Sequence, residues 1–305
     1  RKPTKFERTY LKEQLKNMLT CRINKLSAEQ LTSWTFKDSG KGVEKYAKCL
    51  DDLKMKSHVV KVCQKELHEK CGKFPDDSLR KDCHKFMMAA HGEIPVTDAP
   101  SDFPITVKEY TDCLSSAREK IEPCITHLKE SCFTRKHKAI KLLRADVDFV
   151  EELFEDWADV KVVYSARDPR GTLVSRKKDH RQFLPEIVKE APLLCKKMER
   201  DYDTLQKLEA KYPGKFFRTS YETIAADTIK MTEEIYQFLD IPLPGSVIDW
   251  MYDITHARKD RGAFHNVRSN ATATSMAWRK KLKPEEKQLI DEACMTVYEK
   301  FKYEL

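Results

Sequence analysis

The chain has 305 residues, 40% hydrophobic and 35% charged, with a formal net charge of +8. That apolar content excludes a disordered chain and suffices for one large domain or two small ones. The basic excess is spread along the chain and points to an anionic ligand without selecting one, and no apolar run approaches the ~20 residues needed to cross a bilayer.

Ten cysteines fall at 21, 49, 63, 71, 83, 113, 124, 132, 195 and 294, eight of them before residue 133. No CxxC pair occurs, which argues against a zinc ribbon. An even number at irregular spacing predicts disulfides formed in an oxidising lumen or outside the cell. No signal-peptide pattern follows Arg1, so a lumenal reading expects the targeting segment upstream and treats the chain as a fragment. The sequon Asn270-Ala271-Thr272 fits the same compartment.

In chain order, "FERTYLKEQLKNML" opens as a helix, with Phe6, Tyr10, Leu11, Leu15 and Leu19 at helical spacing. The chain to about 135 is rich in lysine and cysteine and poor in strand-like runs. "KDSGKG" (37–42) has the glycines and lysines of a phosphate loop, but no apolar strand precedes it to aim its N–H groups, so it reads as a turn. "GEIPVTDAPSDFPIT" (92–106) has three prolines and predicts a loop. "VKEYTDCLSSAREKIEPCITHLKESC" predicts a helix with a break at Pro123.

From about 137 the pattern changes. "HKAIKLLRA" (137–145) predicts a short strand, and "DVDFVEELFEDW" a helix with Asp146 or Asp148 as N-cap. "VKVVYSA" (160–166) predicts a strand buried on both faces. A helix follows at once. A long amphipathic helix covers about 183–211, its start bent by Pro185 and Pro192. "KFFRTSYE" predicts another strand. "TIAADTIKMTEEIYQFLDI", "PGSVIDWMYDITHA" and "KPEEKQLIDEACMTVYEKF" predict helices, the last with Pro284 in its first turn. Strand–helix–strand alternation from 137 to 225 predicts parallel βαβ units. Residues 1–136 are expected to form a helical, cysteine-rich part and 137–305 an α/β core.

The chemistry concentrates at "SARDPRGTLVSRKK" (165–178). Ligands of parallel sheets bind beyond the carboxyl ends of the strands. Arg167 stands where the strand ends, Asp168 suits an N-cap, and Pro169 suits the first helical position. The helix N-terminus is a natural anion site, and Ser175 on that helix tilts back toward its start. Arg167 and Ser175 can therefore converge on one phosphate, the arginine as a fork and the serine as a neutral donor. The competing reading is an ion pair of Arg167 with Asp168 or another carboxylate, plus ordinary capping.

"ARDPRGTLVSR" resembles the 3′-phosphate motif of the Golgi carbohydrate sulfotransferases, in which RDPR is followed by a serine eight residues after the first arginine. "HKAIKLLRADVDFVEELF" resembles the preceding strand of that family, with Lys141 and Arg144 in matching places. "FRTSYETIAADTIKMTEEIYQFLDIP" resembles its "RYEDL…IYxFLG" segment, and "FHNVRSNATATSMAWRKKL" its "RN(A/S)T…WR..L" element through Arg268, Trp278 and Arg279. The likeness covers roughly 137–303. It is nearest to the branch that acts on 6-hydroxyls of N-acetylglucosamine, galactose or N-acetylgalactosamine. The early region is similar more loosely, through "MLTCRINKLSAEQLTSWTFKDSGKG".

The resemblance implies a P-loop-type sulfotransferase fold, a parallel sheet flanked by helices, with a helical cysteine-rich insertion. It implies transfer of a sulfuryl group from 3′-phosphoadenosine 5′-phosphosulfate (PAPS) to a glycan hydroxyl, with no metal and no nucleic acid involved. Arg167, Asp168, Arg170, Ser175, Arg268 and Arg279 would serve the nucleotide. Arg170 either adds to the field or pairs with a carboxylate, and Trp278 reads as core. Lys141 and Arg144 would face donor or acceptor, or stand as solvated charges. The resemblance makes a Cys195–Cys294 disulfide plausible, and the eight earlier cysteines could then pair among themselves. It also implies a type II membrane glycoprotein of the Golgi lumen, anchored by a segment upstream of Arg1.

Two departures stand out. The family's arginine before the tyrosine is Ser220, leaving Tyr221-Glu222 open to a structural role. The RSGSSF-type loop for the 5′-phosphosulfate is not found. If it lies upstream, the fragment alone is expected to be inactive. If it is lost, the alternative is a non-catalytic lumenal protein that binds acidic glycans. A P-loop kinase is the third reading, against which the absent GxxxxGK[ST] counts. No catalytic base is assigned.

Overall fold

The computed structural model describes residues 5–32, 43–53, 55, 63, 104–142, 145–179, 187–261 and 266–304. The chain divides into two units, Arg1–Leu142 and Leu143–Leu305. Residues 137–142 thus fall with the helical unit.

The first unit contains α1 (Lys5–Leu19), α2 (Ala28–Leu31), α3 (Glu44–Asp52) and α4 (Pro104–Phe133). Ser27 caps α2 through a capping box with Gln30. α4 packs its buried Ile121, Ile125 and Leu128 against Ile23, Leu26, Leu31, Tyr46 and Leu50. The Tyr46 hydroxyl donates to the Leu31 carbonyl at 2.6 Å, so even the polar end of this core is satisfied. Disulfides Cys21–Cys132, Cys49–Cys124 and Cys63–Cys113 tie the other elements to α4. Contrary to the expected break, α4 runs through Pro123. The cost of the missing N–H is met by a helix already fixed on both sides of it, by Ile121 and by the Cys124 disulfide. α4 also begins at Pro104, inside the segment read as loop. The remainder of that loop, and "KDSGKG", lie outside the described residues.

The strand expected at 137–145 does not form over 137–142, where the backbone has no regular structure. Ile140 and Leu142 stay exposed there, and no neighbouring strand among the described residues pairs their backbone groups.

The second unit contains a 3₁₀ turn Val147–Val150, α5 (Glu151–Asp156), β1 (Val162–Ala166), α6 (Pro169–Asp179), α7 (Ile187–Lys211) and β2 (Phe216–Ser220). α8 (Tyr221–Ala226), α9 (Thr228–Leu239), α10 (Gly245–Thr255), α11 (Ala271–Ser275), a 3₁₀ turn Ala277–Lys280 and α12 (Pro284–Phe301) follow. Neither Asp146 nor Asp148 caps the first helical segment with its side chain. The Asp146 carboxylate instead meets Lys197 of α7 at 3.1 Å. α7 continues through Pro192, whereas Pro185 lies outside the described residues.

β1 and β2 are parallel neighbours, with Val162 opposite Phe216 and Ala166 opposite Ser220. α6 and α7 lie in the connection between the two strands. β1 is not buried on both faces. Tyr164 and Ala166 face a core of Leu173, Ala191, Cys195, Met198, Ile290, Cys294, Val297 and Tyr298, while Val163 is 39% exposed. The apolar run predicted two covered faces, but among the described residues the helices cover one. α7 and α12 form the centre of this core and are joined by the disulfide Cys195–Cys294. Cys71 and Cys83 lie outside the described residues, and no described cysteine is free.

Candidate functional site

β1 ends at Ala166, and the next three residues turn the chain into α6. Asp168 caps the helix: its Oδ1 accepts the Arg170 N–H at 2.8 Å and its carbonyl accepts the Thr172 N–H at 2.9 Å. Pro169 occupies the first helical position, where no N–H is needed. Pro169 has no N–H and those of Arg170 and Thr172 are bonded to Asp168, which leaves the Gly171 N–H as the remaining one of the first turn.

The Arg167 side chain folds along this helix. An added Cβ at Gly171 would lie 3.3 Å from Arg167 Nε and 3.3 Å from Trp278 Cδ1. Gly171 therefore provides the space in which the guanidinium rests. Ser175 is one turn beyond Gly171 on the same face and leans toward the helix start. On its other side the Arg167 guanidinium lies 4.5 Å from the centre of the Tyr221 ring. Its Nε is buried and has no hydrogen-bond partner. Of the competing sequence reading, the capping by Asp168 is present, while the Asp168 carboxylate pairs with Arg170 rather than with Arg167.

That commitment is extensive. Arg170 is fully buried, with Nε 3.0 Å and Nη2 2.8 Å from the two Asp168 oxygens. Nη2 also donates to the Glu304 carbonyl at 2.5 Å, and Nη1 is 3.5 Å from Asp291. The guanidinium lies over the rings of Trp278 and Tyr298, at 4.1 and 4.5 Å. Burial works against its charge, but the hydrogen bonds and charge of Asp168 outweigh it and push its pKa above the ordinary value. Of the two sequence readings for Arg170, the carboxylate pair is the one the geometry displays. Burial, aided by its hydrogen bond to Asp291, also pushes the Tyr298 hydroxyl well up.

Glu222, second residue of α8, accepts the Asp168 backbone N–H on Oε1 at 3.2 Å. Its other oxygen is buried without a partner. Burial, reinforced by the nearby Asp168 charge, raises the pKa of this carboxyl. The Tyr303 and Trp278 polar atoms are likewise buried and unpartnered. Orphaned donors of this kind beside an arginine and a helix N-terminus suit an anionic ligand.

The remaining expected residues are placed as follows. Trp278 is core, as the sequence suggested, at 2% exposure. Arg279 is exposed, lies 4.8 Å from the Trp278 ring and pairs with Glu304 at 3.5 Å. Arg268 donates to the carbonyls of Val267 and Arg261, bracing its own loop. Asn270 caps α11, and the Thr272 hydroxyl ties that helix to the Ala225 carbonyl at 2.8 Å. Lys141 is exposed in the first unit, and Arg144 lies outside the described residues. Among the described residues no cluster of His, Cys, Asp or Glu could hold a metal, and no helix is long and apolar enough to cross a membrane.

The sequence reading had no role for Gly171 or Tyr303 and left Tyr221-Glu222 open. The small residue inside the RDPR helix was the available signal for the first. Tyr221 and Glu222 required the strand register, and Tyr303 the packing of the chain end.

Residues 144–245 match the profile of the family described as "Sulfotransferase family". Mouse carbohydrate sulfotransferase 1 is 29% identical over 233 residues, covering 69% of this chain and 54% of that protein. The human protein of the same name has the same identity and coverage. Human carbohydrate sulfotransferase 3 is 26% identical over 199 residues, covering 59% of this chain and 42% of that protein. The chain thus spans about half the length of the curated relatives it matches. No solved structure matches at a significant level. Residues 144–245, which include the RDPR helix, thus match the sulfotransferase family profile, and the chain is similar over a longer stretch to the carbohydrate sulfotransferases.

Proposed function

We propose that the chain serves transfer of a sulfuryl group from PAPS to a hydroxyl of a glycan, a 6-hydroxyl in the branch it resembles. The observation that carries this reading is the Arg167 guanidinium seated on Gly171, one turn from Ser175, at the start of α6. In this reading Arg167 and Ser175 hold the 3′-phosphate of the nucleotide, with the Gly171 N–H at the helix start beside them. Arg170 and Asp168 support them from beneath, and Arg279 and Arg268 add positive charge nearby.

In the transfer, the acceptor oxygen forms a bond to sulfur in line with the breaking sulfur–phosphate oxygen bond. The acceptor proton passes to solvent or a base, and adenosine 3′,5′-bisphosphate leaves. Fixed cations and N–H donors stabilise the charge growing on the leaving oxygen. The disulfides suit an oxidising compartment, in line with a Golgi lumen location and an acceptor on glycoproteins or proteoglycans.

Calorimetry with adenosine 3′,5′-bisphosphate tests the site. Arg167→Ala is expected to weaken binding by about 1.5–3 kcal/mol, the worth of a charged hydrogen bond. Equal binding by wild type and variant overturns the assignment. Transfer of labelled sulfate from PAPS to a panel of glycans tests the chemistry. Bisphosphate binding without transfer is the outcome expected of this stretch alone if the 5′-phosphosulfate loop lies upstream; no transfer by the full-length protein either favours a non-catalytic glycan-binding protein.

A further inference from the structure

The two parallel strands stop level with one another. Ala166 is the partner of Ser220, and the residues after them are Arg167-Asp168 in one chain segment and Tyr221-Glu222 in the other. The backbone ladder ends there, but the pairing continues through side chains in the same register. Arg167 lies over the Tyr221 ring at 4.5 Å. The Asp168 N–H donates to Glu222 Oε1 at 3.2 Å, across a separation of 54 residues, the same as in the ladder.

Several features fix the two partners in turn. Ser220 caps α8 by accepting the Thr223 N–H at 3.0 Å, so Tyr221 and Glu222 sit on a defined first turn. α8 is tied to α11 by the bond from Thr272 to Ala225. On the opposite side, Gly171 and Trp278 close the space behind the Arg167 guanidinium. Arg167 is therefore held between an aromatic face and a glycine. Its peptide link to Asp168 is pinned by the Glu222 carboxylate, whose other oxygen is buried without a partner.

We propose that Tyr221 and Glu222 are positioning residues of the anion site, Tyr221 by setting the plane of the Arg167 guanidinium and Glu222 by fixing the peptide that carries it. This inference rests on the assignment of Arg167 to the nucleotide's 3′-phosphate. Neither residue touches the ligand in this scheme. The ring supplies a surface on which a flexible arginine loses little further freedom on binding, and the carboxylate sets where that arginine starts.

The test uses the whole chain, with adenosine 3′,5′-bisphosphate as the probe in calorimetry. Tyr221→Leu and Glu222→Ala are each expected to weaken binding about five- to tenfold, as loss of a cation–π contact or a charged hydrogen bond would. Tyr221→Phe keeps the ring and Glu222→Gln keeps an acceptor for the Asp168 N–H, so both should bind within about twofold of wild type. Such rescue separates positioning from a general loss of fold, which thermal unfolding of each variant checks in parallel. Wild-type binding by Tyr221→Leu and Glu222→Ala, while Arg167→Ala is weak, overturns the inference and leaves the site assignment standing. Phe and Gln variants as weak as Leu and Ala also overturn it. Wild-type binding by Arg167→Ala removes the site assignment and this inference with it.

Discussion

Residues 5–142 contain three of the four described disulfides, closing separations of 111, 75 and 50 residues, around a core of short helices laid on α4. Residues 145–304 contain one, Cys195–Cys294, and it joins two helices that already share an extensive apolar contact. In the first unit the crosslinks substitute for secondary structure: α2 has four residues and α3 nine, too short to hold together by helix formation. In the second unit the order of strand, helix and strand builds the core, and the fully buried Arg170 pairs with Asp168 just beyond the end of β1. Crosslinks are thus concentrated where topology offers least. The buried charge is concentrated where topology already guarantees the geometry.

Reduction should divide the two most clearly. Removing a native disulfide costs about 2–5 kcal/mol, so losing three exceeds the usual margin of a domain. Under reductant, hydrogen exchange at residues 44–52 and 121–128 should approach that of an unfolded chain, while α7 keeps its protection. Simultaneous loss in both units would break the contrast.

The next largest effect belongs to Arg170. Arg170→Ala leaves the Asp168 and Asp291 carboxylates without their buried partner and should destabilise the second unit by about 3–5 kcal/mol. Chemical denaturation followed at second-unit residues measures it. The first unit should be unaffected, which sharpens the comparison.

Gly171→Ala separates stability from binding. Alanine favours a helix over glycine by about 1 kcal/mol, but here its methyl would press on Arg167 and Trp278 at 3.3 Å. Unfolding should change by less than about 1 kcal/mol, whereas bisphosphate affinity should fall up to about tenfold as the arginine is displaced. Unchanged affinity would show that Arg167 does not need its present seat.

Glu222→Gln should give the smallest effect, and it depends on pH. The folded carboxyl has a raised pKa, so its ionised form is disfavoured in the fold. Wild-type stability should therefore decline as pH rises from about 4, the unfolded value, through the higher folded value. The glutamine variant lacks this decline, so it should be the more stable of the two at neutral pH and equal to wild type below about pH 4. Thermal unfolding of both proteins across that range checks the sign.

Much of this was legible before any coordinates. RDPRG after an apolar run fixed a strand, a cap and a helix start, because each residue type has a local reason to stand there: Asp168 accepts N–H groups and Pro169 lacks one. Helix periodicity located α1, α7 and α12 to within a few residues. Local rules failed where the outcome depended on a neighbour. Nothing within 137–142 reveals that Ile140 and Leu142 lack a partner strand, and nothing near Pro123 reveals that disulfides hold its helix on course.

At the site the division is the same. The amino-acid sequence by itself determined which groups could bind an anion, because charge and hydrogen-bonding capacity belong to the residue. Which arginine faces outward was decided by tertiary structure alone. Arg167 and Arg170 are three residues apart and chemically identical, yet one stacks on the Tyr221 ring, and the other is enclosed by Asp168, Asp291, Trp278 and Tyr298. Position 170 is fully buried, where a guanidinium is tolerated only beside carboxylates such as Asp168 and Asp291, while position 167 follows the end of the strand. The register of β1 on β2 then sets Tyr221 beside Arg167 and Glu222 beside Asp168, a juxtaposition of residues far apart in the chain that only the folded sheet creates.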